Sequence, residues 1–269
     1  MPHKPHWTLA ELPWDELRRE RVTGSEELFY MVTTASFIEI TSDLYTRNLV
    51  QHFAGDAEVG QWLARGWEPE EVQHGRALRE YALRAWPEFD WETQYAAFFQ
   101  DYSALCKPEA LQPLRSLEMV ARCVVEMGTA TYYTALHHAS DEPLLRRLTR
   151  HIYEDEVGHY KHFYKYFRQY REIENTSRAQ VLGALWQRLR IIEDEDTYLA
   201  LRHVYPTRHP GQRFDRAVYK DVVARCRRLA GPHVPHQMSV NMLLKPLDMA
   251  PLARRVVQPL MEGMARLVA

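Results

Sequence analysis

One four-residue pattern occurs twice in this chain, as Glu71-Val72-Gln73-His74 and as Glu156-Val157-Gly158-His159. On an α-helix a three-residue step turns the chain by about 300°, so each carboxylate and imidazole share a face one turn apart. Both pairs fall inside apolar stripes of helical period. One stripe is Glu71, His74, Leu78, Tyr81 and Ala82; the other is Leu145, Leu148, Ile152, Glu156, His159, Phe163 and Tyr166. Burying ionised carboxylates on such faces costs on the order of several kcal/mol each unless a cation compensates. The pattern therefore asks for helices that face one another around a compensated polar centre, and predicts an all-α chain.

Composition agrees. Only 11 glycines occur in 269 residues, and Ala, Leu, Arg and Glu recur at helical spacing, which argues against an all-β or collagen-like fold. The 34 basic and 36 acidic side chains leave a formal charge of −2, so no strong overall field points to nucleic acid or to an anionic membrane. Cys106, Cys123 and Cys226 are odd in number and form no Cys-x-x-Cys pair, which fits a reducing compartment; the cytoplasm is the expected location. The opening residues show no secretory apolar run, and no stretch approaches the roughly 20 apolar residues of a membrane span.

Period and punctuation predict a short amphipathic helix over Leu9–Arg21 and a long one from Thr23, with Glu26 completing a capping box, to about Phe53. A short helix over Ala57–Arg65 follows. Glu68-Pro69 opens a second long helix to Ala85, because proline suits a first turn. A helix over Glu92–Cys106 leads to a third long one from Pro108 to Ala139, and Asp141, as cap, opens a fourth that ends near Glu174. Four long helices with one crossing connection describe a ferritin-like four-helix bundle over 24–174, preceded by an N-terminal segment, 1–23. Residues 175–269 read as a C-terminal helical extension packed on the bundle: a helix over Ser177–His203, a loop over Tyr205–Phe214, a helix over Asp215–Ala230 and a final pair.

A di-metal carboxylate site needs one more Glu from each of the other two helices. By phase the candidates are Glu39, with Asp43 as its rival, and Glu126, with Glu118 as a weaker rival rotated off the stripe. Four carboxylates and two imidazoles would largely neutralise two divalent ions, with an oxygen and nitrogen set suited to iron or manganese.

The stretch Trp67-Glu68-Pro69-Glu70-Glu71-Val72-Gln73-His74-Gly75-Arg76-Ala77-Leu78 resembles the Trp-x-x-Glu-Glu-x-x-His-Gly-x-x-Leu segment of the soluble acyl-carrier-protein desaturases. Asp155-Glu156-Val157-Gly158-His159 resembles their Asp-Glu-x-x-His segment. The resemblance spans roughly residues 24–170. It implies a ferritin-like di-iron oxidase with Glu39, Glu71, His74, Glu126, Glu156 and His159 as metal ligands, Thr129 beside the oxygen site, and Asp155 as partner of a ligating imidazole. The same spacing is shared by aldehyde-deformylating oxygenases, ribonucleotide reductase small subunits and ligand-binding Mn/Fe oxidases, so the scaffold resemblance is stronger than the substrate resemblance. Residues 177–269 show no match.

The expected activity is that of a dioxygen-activating oxidase or oxygenase holding two iron ions, or Mn/Fe, and acting on an apolar, acyl-like substrate, free or carrier-bound. An electron-donor protein and a homodimer are expected with it. A ferroxidase or iron-binding protein without organic substrate is the alternative. The bland readings stand beside these: Thr129 bonding back to a carbonyl, Cys123 as a small hydrophobe, His137 and His162 outside the ligand set, Arg146, Arg147 and Arg150 as a solvated face. The aromatics around Tyr132, Tyr133, Tyr160 and Phe163 read mainly as packing, with Trp7, Trp14, Trp62 and Trp67 as further candidates for an electron relay.

Overall fold

In the computed structural model of the chain, residues 6–106, 111–191 and 195–268 are described, and among them every regular element is helical. The predicted helix over Leu9–Arg21 is instead three 3-10 turns, Leu9–Glu11, Trp14–Glu16 and Arg19–Arg21. Pro13 has no N–H to continue a ladder, and buried Trp7 and Leu12 tie this segment to the body as an extended strap.

Helix α1 (Glu26–Ile40) is capped by Ser25, whose hydroxyl accepts from Leu28 N at 3.2 Å, rather than by the expected Thr23 box. The long first helix also does not run unbroken to Phe53. It stops at Thr41 and resumes as α2 (Ser42–His52). The cause is local: Thr41 Oγ1 lies 2.7 Å from Ile38 O and Ser42 Oγ lies 2.7 Å from Glu39 O, so hydroxyls compete for the carbonyls of the ladder. Asp56 caps α3 (Ala57–Trp62), which passes through a π-helical turn, Leu63–Trp67, directly into α4 (Glu68–Ala85). Pro69 therefore sits in the first turn of α4 as expected, but no break precedes it.

After Pro87 and the Asp90 cap comes α5 (Trp91–Ser103). Helix α6 (Arg115–Ala139) begins later than the predicted Pro108, which lies outside the described residues. Helix α7 (Pro143–Glu174) is capped not by Asp141 but by Glu142. Its buried carboxylate accepts from Leu144 N and Leu145 N in the first turn, and from Arg18 N and the Tyr81 hydroxyl. Asn175, in the left-handed region at φ 52°, ends the helix. Then follow α8 (Arg178–Ile191), α9 (Glu195–Val204), α10 (Arg216–Ala230), α11 (His236–Leu244) and α12 (Pro251–Val268); the single helix predicted over Ser177–His203 is thus two.

Two pairs dominate the packing, α1 with α4 and α6 with α7, and α4 also meets α7. Helices α9 and α10 cover α1, and α8 and α11 cover α6, so the C-terminal third clads the helices that carry Glu39 and Glu126 rather than those that carry the paired motifs. Helices α1 and α4 approach closely at Gly75, where a Cβ would lie 2.4 Å from Ile40 N. Only a residue without a Cβ lets these backbones meet, and both positions directly follow site residues: Ile40 succeeds Glu39, and Gly75 succeeds His74.

Candidate metal centre

All six carboxylates and imidazoles singled out by phase meet in the interior, each at most 6% exposed. They form two groups. Glu39, Glu71, His74 and Glu156 offer ligand atoms within 4.8 Å of one another, and so do Glu71, Glu126, Glu156 and His159. Glu71 and Glu156 belong to both. The four helices α1, α4, α6 and α7 each contribute, because helical period puts Glu39 and Glu126 on inward faces and the two Glu-x-x-His pairs one turn deep.

The rivals fall elsewhere. Asp43 lies beyond the break at Thr41, half-buried and outside both groups. Glu118 is buried but held by Arg122 Nε at 2.9 Å and by Gln112 N at 2.8 Å. His137 Nδ1 lies 2.7 Å from Arg146 O, and His162 is exposed and stacks on Trp62. Arg147 and Arg150 are exposed beside Glu16 and Glu154.

Around the six residues stands a ring of supporting groups. His74 Nε2 lies 3.0 Å from Asp155 Oδ2, the same oxygen that accepts from Trp7 Nε1 at 2.7 Å. His159 Nε2 lies 2.9 Å from Glu70 Oε2. The support is crossed: Asp155, beside Glu156 on α7, holds the imidazole of α4, and Glu70, beside Glu71 on α4, holds the imidazole of α7. Fixing the outer ring nitrogen in this way directs Nδ1 of each histidine to the centre. Glu70 was not foreseen, although the acidic-Glu-x-x-His pattern recurs in both segments and its first position is the signal that would have found it. Tyr133, read from the sequence mainly as packing, instead donates its hydroxyl to Glu39 Oε1 at 2.5 Å from full burial. Thr129 Oγ1 stands 2.7 Å from Glu156 Oε2 and 3.1 Å from Glu126 O, so both its readings are compatible with its place.

The inward atoms, Glu71 Oε1, Glu126 Oε2, Glu156 Oε1, His74 Nδ1 and His159 Nδ1, are buried and face mainly one another: His159 Nδ1 lies 2.9 Å from Glu71 Oε1 and 3.4 Å from Glu126 Oε2, and His74 Nδ1 3.2 Å from Glu156 Oε1. Their electrostatics show what is missing. Burial raises Glu71 well above the ordinary carboxylate range, and the negative charges of Glu156 and Glu39 push it further; burial brings Glu126 to about 8. Burial also acts against ionised Glu156, but the imidazoles of His159 and His74, 3.8 and 3.2 Å away, outweigh it and hold that carboxyl low. Both histidines, which burial alone would keep neutral, are raised by the carboxylates around them. Buried acceptors with mutual repulsion, in a set of four carboxylates and two imidazoles, fit divalent cations, and the residues present could hold a metal ion.

Of the four tryptophans considered, Trp7 alone is hydrogen-bonded into this network, and its ring stacks parallel to His74, 6.1 Å between centroids. Trp14 donates to Leu9 O, and Trp62 and Trp67 pack against Phe163. No helix among the described residues is long and apolar enough to cross a membrane. No protein-family model matches the chain, and comparison with curated proteins found no match.

Proposed function

We propose that this chain is a di-metal oxidoreductase with a ferritin-like four-helix bundle, in which two iron ions, or one manganese and one iron, activate dioxygen to oxidise an apolar, acyl-like substrate. The observation that carries the reading is the pair of four-residue groups sharing Glu71 and Glu156. A single structural cation would need one group; two groups with common carboxylates suit two adjacent ions. When bound, such a pair supplies electrons to dioxygen in steps that one ion cannot provide.

The chain's own residues divide the remaining work. Glu39 with His74, and Glu126 with His159, would hold one ion each, and Glu71 and Glu156 would span both. Asp155 and Glu70 keep the imidazoles turned inward and accept the proton on Nε2, which leaves Nδ1 as the donor atom. Thr129, against Glu156 Oε2, is placed to pass a proton at the edge of the centre. Tyr133 donates to Glu39 Oε1 and so fixes the rotation of that carboxylate. Trp7 links the N-terminal strap to His74 through Asp155, a direct line along which an electron donor reaches the interior. Buried Leu78, Ile152 and Phe163 pack the apolar stripes that keep water from the centre.

The experiment is metal analysis of purified protein, followed by anaerobic reduction and exposure to oxygen. Two metals per chain and a transient visible absorption are expected, and Glu126→Ala should lose metal from the His159 group. Full retention of both metals by Glu126→Ala would refute the ligand assignment. Uptake of many irons per chain by a cage-sized assembly would favour the ferroxidase reading instead.

A further inference from the structure

Helix α12 is amphipathic in the wrong sense for a helix packed on a core. Its polar row, Arg254, Gln258 and Glu262, is half-buried beside Val257 and Met261, and Arg254 ties it to α11. Arg254 Nη2 donates to Asn241 Oδ1 on α11 at 2.9 Å, Arg254 Nε to Gln258 Oε1 at 3.3 Å, and Gln258 Nε2 to Glu262 Oε1 at 2.9 Å. The apolar row at four-residue spacing, Leu252, Val256, Leu260 and Met264, is 75, 62, 63 and 67% exposed. Eight large hydrophobics stand out as exposed among the described residues, and half of them lie on this row. Helices that pack on a core turn the apolar row inward; an apolar row of this kind turned outward marks a contact with something not in the chain.

Charge decides what that is. The net charge of −2 conceals an asymmetry, because residues 215–266 carry nine Lys and Arg against four Asp and Glu, leaving the rest of the chain strongly acidic. On α12 itself the fully exposed charges beside the apolar row are Arg255 and Arg266, whereas Glu262 is half-buried and engaged by Gln258. A second copy seated on this row by a two-fold would set one basic region against another. An anionic lipid surface instead offers hydrocarbon to the apolar row and negative headgroups to the arginines, the arrangement of a helix lying in the plane of a bilayer interface. We propose that α12 is a surface anchor for anionic membranes, lying on the bilayer without spanning it. The proposal departs from the expectation drawn from the overall charge, and it stands independently of the metal centre.

The test is flotation of the purified full chain with vesicles of phosphatidylcholine alone and of phosphatidylcholine with phosphatidylglycerol, read together with light scattering after gel filtration. The chain should float with the anionic vesicles, more weakly with neutral ones, and less as salt rises. Leu260→Asp, at an exposed position, should weaken binding by at least about tenfold with an unchanged circular dichroism spectrum. The pair Arg255→Glu and Arg266→Glu should keep the apolar row and erase the preference for phosphatidylglycerol. Failure to float with either vesicle, or flotation unchanged by Leu260→Asp, overturns the proposal. So does a dimer in solution that Leu260→Asp dissociates, which would make a second copy the occupant.

Discussion

Gly75→Ala isolates half of the metal centre with a single methyl group. A Cβ at this position would meet Ile40 N at 2.4 Å, Ile40 Cβ at 2.6 Å and Ile40 Cα at 2.7 Å. Ordinary contacts between such atoms begin near ~3.5 Å, so α1 and α4 must part by about 1 Å. Two of the three obstructing atoms are backbone, and no rotamer change relieves them. Overpacking of this kind costs about 1–3 kcal/mol, and the better helix propensity of alanine returns up to about 1 kcal/mol. The net loss of about 1–2 kcal/mol lowers Tm by roughly 2–8 °C for a chain of this size. The functional effect is more selective. His74 Nδ1 and Glu39 Oε2 are 3.9 Å apart across the seam that widens, whereas Glu126 and His159 sit on α6 and α7 away from it. Metal titration followed by calorimetry should show one site weakened by at least about tenfold, since ligand placement tolerates only fractions of an ångström, and one site near wild type. Two unweakened sites together with an unchanged Tm would show that the helices yield without cost, and would refute the claim that this glycine sets the geometry of the centre.

Other outcomes follow from the same geometry. Asp155→Asn and Glu70→Gln should each weaken metal binding by about 10–100-fold, the first at the His74 group and the second at the His159 group, as metal titration would read. Glu142→Ala removes four hydrogen bonds, three of them buried, outside the ligand set and should cost about 3–5 kcal/mol in a denaturant melt while two metals per chain are retained. Because Glu71, Glu126, His74 and His159 all bind protons more tightly when folded than in the open chain, metal-free protein should lose stability as pH rises from about 5 to 8. Glu156, shifted the other way, acts only below the ordinary carboxylate range, so it does not reverse that slope. Thermal scans with and without metal should show the largest gain at the upper end of this interval, and a metal-free Tm that climbs from pH 5 to 8 would contradict it. Trp7→Phe should leave metal content unchanged and slow the reduction of loaded protein by an external donor.

The centre was legible in the sequence because helical period and ligand spacing share one ruler. Glu39, Glu71, His74, Glu126, Glu156 and His159 lie on inward stripes, and stripes can be counted. What escaped depends on contacts between segments distant in the chain. Glu70 repeats the place of Asp155 in its own segment, but which imidazole it reaches, 89 residues away, and that Trp7 donates to a carboxylate 148 residues on, are decided by packing alone. Helix ends were displaced by short-range chemistry that periodicity ignores. Thr41 and Ser42 cut a helix that its apolar pattern carries through, and Glu142 rather than Asp141 takes the cap because only its carboxylate also meets Tyr81 and Arg18. The outward face of α12 lay hidden behind the whole-chain charge, which averages an acidic body with a basic end.

The crossed support of the two imidazoles carries a consequence for assembly. Each of α4 and α7 brings a histidine that the other must orient, so neither helix can form half of the centre in advance of the other. An isolated α4 presents Glu71 and His74 with an unfixed ring, and an isolated α7 is in the same state. In the proposed reading, metal capture would wait until the two halves of the chain have docked, and a nascent polypeptide would not load ions at partly built sites.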